Sequence, residues 1–405
     1  MNRPTALMLT PRLPWPQDDG GRIVAWQNLL AMTGQFDTTL ISFAPPGGGP
    51  PLPAEAAAAG VELVAVPFHP VPTVLAAARG VFGRWPYTLA RYRSRAFERA
   101  VRDAVARRRP ALAYVHHLHL ATYVDALGGV PMVLREHNLE FQWMARYAKS
   151  VGASARGAYA AIQSSRLRRA EAELCRRAAL VLAIQDEEAR TLRAIAPGAR
   201  IETLPVGVDV AAAPAPAPSS PPVLLLAASF AWAPNVEGAI RFLREGWPRL
   251  RARAPHAVLR VAGKSPPEAL RAACAEAGAA LAADVPSMGE EYRRATLLLV
   301  PLWAGAGARV KLIESFAARL PVVTTSAAAA GLDLEPEIHY AEGETPAALA
   351  DAAAALLAAP ERRAALSAAG HDLATRRWSW PAMAALQARH LASAAAGMGS
   401  GETAA

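Results

Sequence analysis

The chain has 405 residues, of which 53% are hydrophobic and 19% charged, and this apolar content excludes an intrinsically disordered protein. The length favours two domains, and Arg, Pro or Gly interrupts every apolar run before it reaches the roughly 18 residues that a membrane-spanning helix needs. The net charge is +9, and residues 1–210 hold 25 Lys and Arg against 17 Asp and Glu. This asymmetry indicates either an anionic partner for the first half or a compositional bias toward Arg.

The redox and targeting signals are weak. Cys175 and Cys274 are the two cysteines, and their wide separation in sequence disfavours a disulfide framework or a cysteine zinc site. The N-terminus offers about six apolar residues before Pro11, which is too short for the core of a secretory signal. We therefore expect a cytoplasmic protein.

Short apolar runs alternate with longer, Ala-rich, helix-like stretches along the whole chain. The runs of the first half are residues 5–10, 38–43, 61–68, 112–117, 132–137, 180–185 and 201–205. Those of the second half are residues 223–229, 257–263, 281–286, 296–302 and 321–325. Continuous Val, Leu and Ile bounded by Gly, Pro or Asp is typical of strands that are buried on both faces of a parallel sheet. The alternation predicts an α/β protein with two Rossmann-like, doubly wound domains.

The domain boundary is predicted at the segment 211–222, whose prolines and alanines make a semi-rigid linker. It separates an N-terminal domain of residues 1–210 from a C-terminal domain of residues 223–376. A late amphipathic helix is expected over 377–395 and a disordered tail over 396–405. Two such domains imply a cleft between them, where ligands bind beyond the carboxyl ends of the strands.

The segment 296–325 contains most of the candidate ligand-binding residues of the second half. A buried strand leads into a Gly-rich loop, 305–307, and then into a helix with Arg309, Lys311 and Glu314. Unpaired N–H groups and the dipole at the helix start suit a phosphate, and Lys311 and Glu314 share one helical face. Cations beside a carboxylate suit a nucleotide diphosphate, with the carboxylate binding the ribose hydroxyls. An ordinary solvated Lys–Glu pair is the alternative.

This segment, GAGARVKLIESFAARLPVV, resembles the C-terminal signature of glycosyltransferases of the GT-B fold, family 4 type, which build bacterial exopolysaccharides and lipid-linked sugars. The resemblance extends from about residue 5 to about residue 390, and it implies that the late helix 377–395 packs back on the N-terminal domain. It implies the GT-B architecture, in which the two domains face a cleft, and transfer of a sugar from a nucleotide-diphosphate sugar to a glycan or lipid-linked acceptor hydroxyl. It further implies retention of the anomeric configuration and no cofactor. The sequence lacks a D-x-D motif, which agrees with metal-free chemistry.

The resemblance also assigns donor-binding residues in the second half. Family members often have two glutamates eight positions apart; the second matches Glu314, which holds the donor ribose, whereas the first position is Ala306. The main-chain amides of Gly305 to Gly307 are expected to substitute for that missing carboxylate. The family's usual cation after strand 223–229 is also missing. Arg309, Lys311 and Lys264 are therefore the candidates to stabilise the diphosphate, although Lys264 could equally be a surface loop residue.

In the first half, Gly20 and Gly21 stand between a strand and an amphipathic helix, where backbone N–H groups form a concavity that favours anions. By resemblance, this loop lies over the donor phosphates or the acceptor. The alternative is a plain helix N-terminus that Asp18 or Asp19 caps.

Histidines follow two of the predicted strands. By resemblance, His137 at the end of strand 132–137 lies near the sugar and takes part in catalysis, although a lone histidine is more often structural. His116 and His117 end strand 112–117, and His119 follows it. A metal site is disfavoured there because no carboxylate cluster accompanies them, and His116 or His117 could line the acceptor side.

The stretch 84–109 has nine arginines against Glu98 and Asp103, with Trp85, Tyr87, Tyr92 and Phe97 interleaved. A basic helix with an aromatic side suits an anionic membrane surface, which would make the protein peripheral on the inner face of the membrane. A solvated helix face is equally favoured, and nucleic acid is the least favoured partner.

Two alternative functions remain open. A GT-B-type sugar-nucleotide epimerase would convert the donor without any acceptor. A catalytically degenerate scaffold would bind sugar nucleotides without turnover, and Ala306 together with the missing cation after strand 223–229 supports that alternative.

Overall fold

The computed structural model describes residues 3–69, 71–213, 216–217, 219–303 and 309–396. The chain forms two compact units, each of which contains one parallel sheet. Unit 1 comprises Met1–Pro205 and Met383–Ala405, and unit 2 comprises Val206–Ala382. Among the described helices, none combines the length and the apolar character that crossing a membrane requires.

The seven described strands of unit 1 each coincide with a predicted apolar run. They are β1 (Thr5–Thr10), β2 (Asp37–Ala44), β3 (Glu62–Pro67), β4 (Leu112–His116), β5 (Met132–Arg135), β6 (Leu180–Ala183) and β7 (Ile201–Thr203). All pair in parallel, in the order β3-β2-β1-β4-β5-β6-β7. The order reverses between β1 and β4, which defines a topological switch point.

The helices of unit 1 that precede residue 205 connect these strands. They are α1 (Gly20–Thr33), α2 (Ala54–Ala58), α3 (Thr73–Phe82), α4 (Tyr87–Ala90), α5 (Arg95–Arg108), α6 (Leu118–Ala121), α7 (Glu140–Ser150), α8 (Ala155–Arg177) and α9 (Asp186–Ile195), with a 3₁₀ turn at Val124–Leu127. Alternate strand residues such as Leu7 and Leu9 belong to the same buried core as Phe97 of α5 and Leu167 of α8. This alternation follows from the two-residue side-chain period of a strand.

Unit 2 repeats the architecture with six described strands. They are β8 (Val223–Ser229), β9 (Val258–Lys264), β10 (Ala280–Ala283), β11 (Leu297–Val300), β12 (Val322–Thr324) and β13 (Ala341–Glu342). All pair in parallel, in the order β10-β9-β8-β11-β12-β13. Five of them confirm the predicted strands. The sixth, β13, has two residues and is too short to produce a readable apolar run.

The remaining helices begin in unit 2. They are α10 (Ala233–Arg241), α11 (Trp247–Arg253), α12 (Glu268–Ala277), α13 (Met288–Arg294), α14 (Val310–Ala317), α15 (Ser326–Ala329), α16 (Pro346–Ala358), α17 (Pro360–Arg377) and α18 (Trp380–Ala396), with a π-helical turn at Phe242–Gly246 between α10 and α11. From Met383 onward, α18 belongs to unit 1, where the Gln387 amide donates to the Asn28 carbonyl at 2.9 Å.

The switch point of unit 2 lies between β8 and β11, and helix α10 comes very close to the chain that leaves β11. A Cβ on Gly238 of α10 would lie 2.0 Å from the carbonyl oxygen of Pro301. A Cβ on Gly263, near the end of β9, would lie 1.7 Å from the Ala228 carbonyl oxygen. Because glycine has no Cβ, the backbone can approach closely at both positions, and the carboxyl ends of β8, β9 and β11 lie next to one another.

The predicted fold class is thus confirmed: each unit is an α/β, Rossmann-like, doubly wound sheet. The linker at 211–222 stays a prediction, and the tail from residue 397 lies outside the described residues.

Candidate functional site

A cavity of about 420 Å³ opens at the carboxyl ends of β8, β9 and β11, beside the start of helix α14. Its wall includes Ser229, Gly263 and Val300 from near the ends of those strands, and Asn235 from α10. It lies at the switch point of unit 2, where doubly wound sheets bind ligands.

Lys311 in the first turn of α14 lines this cavity and donates to the Asn235 side-chain oxygen at 2.9 Å. Asn235 is itself oriented, because its amide donates to the Ser229 carbonyl at 2.8 Å. Burial, together with the positive charge of Arg309, lowers the pKa of Lys311 to about 8. An anion in the cavity would favour the charged ammonium, because it would offset both effects.

Glu314 lies one helical turn further along α14 and also lines the cavity. The Tyr292 hydroxyl of α13 donates to its carboxylate at 2.9 Å. Burial raises the pKa of Glu314, and burial with the carboxylate beside it raises the pKa of Tyr292. Within the described contacts, Lys311 and Glu314 have separate partners and each lines the cavity, so the alternative of a solvated Lys–Glu pair is wrong.

The other predicted cations border the same cavity. Arg309 immediately precedes α14, lines the cavity, and donates to the Ala327 carbonyl at 3.0 Å. Lys264, the last residue of β9, is exposed to solvent and also contributes to the wall. The fold therefore brings together three cations that are up to 47 positions apart in sequence. Gly305, Ala306 and Gly307 lie outside the described residues.

An apolar wall completes the cavity, formed by Trp232, Val285, Met288 and Leu302. Such an arrangement can hold a planar ring on its apolar side, hydroxyls at Glu314 and a diphosphate at the cations. The sequence identifies neither Tyr292 nor Asn235 as a site residue. Tyr292 is separated from Glu314 by 22 positions and lies on another helix, and no motif connects the two.

In unit 1, Gly20 and Gly21 are the first two residues of α1, as predicted. Asp19 caps this helix, accepting from the Arg22 backbone N–H at 3.0 Å, and pairs with Arg12 at 2.7 Å. The alternative of a capped helix N-terminus therefore describes the local geometry. A role for the two glycines in donor binding stays a prediction.

His137 lies two residues beyond β5, and its ring nitrogen is 3.0 Å from a ring nitrogen of His116 at the end of β4. The His117 ring stacks on it, with the ring centroids 4.0 Å apart. Burial lowers the pKa of His116 and His137 well below 6.5 and that of His117 to about 3, so all three rings are neutral at pH 7. Neutral imidazoles can donate to or accept from a hydroxyl.

One nitrogen from each of His116, His117 and His137 lies within 4.8 Å of the others, a grouping that could hold a metal ion. The charge of Arg135 lowers the pKa of all three rings, and its guanidinium is buried close by. This positive charge opposes the binding of another cation. That the site works without a metal stays a prediction. His119 is 4.0 Å from the Glu140 carboxylate.

Four carboxylates that sequence reasoning did not group together lie close to one another in unit 1: Glu136, Glu140, Glu171 and Glu188. Burial is the main cause that raises the pKa of each, and neighbouring carboxylates raise it further for Glu136, Glu171 and Glu188. The value for Glu140 is about 7. Glu136 and Glu140 are close together next to β5 and at the start of α7, but Glu171 and Glu188 lie far along the chain on α8 and α9, so no spacing pattern identifies the group.

We expect Glu171→Gln to stabilise the protein at pH 8 but not at pH 4. Burial raises the pKa of Glu171 in the folded protein above its unfolded value of 4.5. The protonated carboxyl group therefore contributes stability that is fully present below pH 4.5 and is lost as the pH rises through the folded-state pKa. Glutamine removes this loss and can still accept from the Phe141 backbone N–H, which is 3.3 Å from Glu171. Each kcal/mol gained would raise the Tm by about 2–4 °C. Thermal unfolding of both proteins at the two pH values measures the effect, and an equal Tm difference at both would contradict it.

The aromatic residues of the stretch 84–109 do not form an exposed side. Phe97 is fully buried, and Trp85 and Tyr92 pack against the core of unit 1. The Glu98 carboxylate pairs with Arg93 at 2.8 Å and with Arg102 at 2.9 Å. This stretch therefore fits the alternative of a solvated, ion-paired helix face, and the prediction that it presents aromatic side chains to a membrane is wrong.

Comparison with protein families gives two matches that together cover most of the chain. The family described as Glycosyltransferase Family 4 matches residues 39–212, and the one described as Glycosyl transferases group 1 matches residues 221–359. No curated protein sequence matches the chain.

Solved structures of similar fold cover nearly the whole chain. Sucrose-phosphate synthase from Thermosynechococcus elongatus is 16% identical with a TM-score of 0.64, over 96% of this chain and 98% of that one. Anabaena HepE, in complex with UDP and glucose, is 14% identical with a TM-score of 0.60, over 96% and 99%. A trehalose 6-phosphate synthase from Burkholderia multivorans is 14% identical with a TM-score of 0.63, over 100% and 99%. At these identities the likeness shows a shared fold.

Proposed function

Because this chain belongs to the family 4-type glycosyltransferases, we propose that it takes the sugar from a nucleotide-diphosphate sugar and transfers it to an acceptor hydroxyl. The acceptor would be a glycan or a lipid-linked saccharide, and the anomeric configuration would be retained without a metal ion. Such transfers belong to cell-surface polysaccharide biosynthesis in the family that the sequence resembles. HepE, a protein of the same fold, was solved with UDP and glucose, which supports a nucleotide sugar as donor.

The observation that carries this proposal is the cavity of unit 2, where three cations and one oriented carboxylate surround about 420 Å³ of space. In the proposed complex, Lys311, Arg309 and Lys264 bind the diphosphate, while Glu314 accepts hydrogen bonds from the ribose hydroxyls. The apolar wall of the cavity receives the base. Each class of side chain then meets the part of a nucleotide sugar that its chemistry suits.

In the reaction, the bond between the anomeric carbon and the diphosphate oxygen breaks, and the acceptor oxygen bonds to the same carbon. The acceptor hydroxyl gives its proton to a phosphate oxygen of the departing nucleoside diphosphate, on which negative charge develops as the bond to the sugar breaks. Lys311 and Arg309, whose side chains are partly shielded from solvent, stabilise that charge electrostatically. We assign His137 a role beside the sugar, where its neutral ring can bond to a hydroxyl, and Gly20 and Gly21 a role in donor or acceptor binding.

A panel of UDP-, GDP- and ADP-sugars tests the proposal. A ligand that binds the folded state alone raises stability by about 2.7 kcal/mol at 100 times its Kd, so a donor should raise the Tm in a concentration-dependent way. The free nucleoside, which lacks phosphates, serves as the control and should shift the Tm less. The sugar nucleotide that binds is then incubated with and without saccharide acceptors, and the products are separated and identified.

Transfer of the sugar to an acceptor is the expected result. Conversion of the donor without any acceptor would instead support an epimerase. Donor binding without turnover on any acceptor would support a scaffold, and the absence of a Tm shift with every sugar nucleotide would contradict donor binding itself.

A further inference from the structure

Large apolar side chains are exposed at seven of the described positions, and five of these positions are on three helices of unit 1. Phe82 and Leu75 on α3 are 89% and 45% exposed, Trp143 and Tyr147 on α7 are 52% and 41%, and Ile162 on α8 is 51%. Single exposed apolar residues are normal on a protein surface, whereas a concentration of them marks an interaction site. We name helices α3, α7 and α8 the docking layer.

The three helices of the docking layer lie side by side, with α8 in the middle. On one side, the Tyr159 hydroxyl and the Gln163 amide of α8 donate to the Ala77 and Gly80 carbonyls of α3 at 3.1 and 3.0 Å. On the other side, the Ser164 hydroxyl of α8 donates to a backbone carbonyl of α7 at 2.8 Å. The inner side of α8 contributes Ala160, Leu167 and Ala170 to the buried core of unit 1, so its exposed side chains face away from that core.

The aromatic pair of α7 is suited to an interface between lipid and water. Trp143 and Tyr147 are one helical turn apart and stack with their rings parallel, 6.0 Å between centroids and 4° between planes. Both rings have an apolar body and a polar tip, and such residues concentrate at the headgroup level of membranes. Phe82, the most exposed of the five, can insert among acyl chains.

The charge of the docking layer determines which partner it fits. The three helices carry nine Arg and Lys against three Glu, and two of those glutamates, Glu140 and Glu171, are largely or fully buried. Exposed cations such as Arg146, Lys149 and Arg156 accompany the apolar side chains. A second copy of this chain would set like charges against each other, whereas an anionic bilayer complements both the charges and the apolar side chains.

We propose that the docking layer binds unit 1 to the surface of an anionic phospholipid bilayer. The exposed rings and aliphatic side chains enter the headgroup region while the surrounding arginines and lysines contact lipid phosphates. Membrane binding of this kind is independent of sugar transfer, so it can hold even if the proposed function fails, and it can fail even if that function holds.

Flotation with lipid vesicles tests the proposal on the full chain without any sugar nucleotide. The vesicles consist of phosphatidylcholine alone or with about one third phosphatidylglycerol. The wild type should float with the anionic vesicles and much less with the neutral ones. Raising the salt from about 0.1 M to about 0.5 M should weaken this binding, because salt screens the contacts to lipid phosphates.

The double variant Phe82→Ser, Trp143→Ser should bind anionic vesicles at least about tenfold more weakly, because it loses two inserted rings. Ile338→Ser is the matched control, because Ile338 is 49% exposed but lies in unit 2, and it should float as the wild type does. Circular dichroism and Tm verify that each variant folds.

Three outcomes would overturn the proposal. The wild type could fail to float with anionic vesicles at low salt, or the folded double variant could float as well as the wild type. The wild type could also be a dimer that the double variant dissociates, without vesicle binding, which would assign the layer to a second copy.

Discussion

Replacing Lys311 by alanine is expected to lower the turnover of sugar transfer by about 100- to 1,000-fold, the scale of losing one charged contact to a developing anion. The Lys311 ammonium donates to the Asn235 side-chain oxygen at 2.9 Å and is therefore already oriented in the cavity. Little further free energy is needed to position it when the leaving group develops its charge. Steady-state rates with saturating donor measure the effect. Turnover close to that of the wild type would remove Lys311 from the mechanism.

A control for this variant is Arg271→Ala, which removes an exposed cation from α12 in the same unit. Its turnover should stay within about twofold of the wild type, since exposed surface cations away from a site contribute little. A similar loss in both variants would attribute the effect to the net charge of unit 2 and not to the cavity.

The pH dependence gives a second readout for the same lysine. Burial and Arg309 lower the pKa of Lys311 to about 8, so the ammonium is present below that pH and is lost above it. In the free enzyme, kcat/KM should therefore fall as the pH rises through about 8. In Lys311→Arg the guanidinium keeps its charge throughout this range, and this alkaline decline should be absent.

Glu314→Ala is expected to raise the KM for the donor by about 10- to 100-fold, the scale of losing hydrogen bonds from hydroxyls to a charged carboxylate. The Tyr292 hydroxyl, 2.9 Å away, orients this carboxylate toward one arrangement before the ribose arrives. Because the ribose is remote from the bond that breaks, kcat should change less than KM. Initial rates over a range of donor concentrations separate the two constants.

Two further variants make this test more specific. Glu314→Gln keeps an acceptor for Tyr292 and should give an intermediate KM, which distinguishes lost ribose contacts from a damaged fold. Glu268→Gln, an exposed carboxylate at the start of α12, should leave the KM unchanged. An unchanged KM in Glu314→Ala would contradict ribose binding by this residue.

Much of the fold could be predicted because the strands are short, continuous apolar runs with clear ends. All twelve runs that the sequence offers become strands, and the parallel pairing follows from the helices between them. The two-residue β13 could not be predicted, since its position depends on its pairing with β12 and not on its own composition.

The candidate site could be predicted only in part. Lys311, Glu314 and Arg309 lie on one segment with a recognisable signature, and the cavity contains all three. Tyr292 and Asn235 had no signature, because each contributes one hydrogen bond to a residue that is far away in sequence. The stretch 84–109 shows the opposite error: its arginines and aromatic residues are interleaved in sequence, but the fold packs Trp85, Tyr92 and Phe97 into or against the core of unit 1.

By itself, the sequence determined the α/β class, the strand positions and a cluster of cations beside one carboxylate, because each depends on residues that are neighbours along the chain. Only the tertiary structure decided which partners hold those charged groups, which carboxylates and histidines share a buried space, and which apolar side chains stay exposed. Hydrogen bonds and burial join residues that are distant in sequence, and the packing of helices on a sheet determines them.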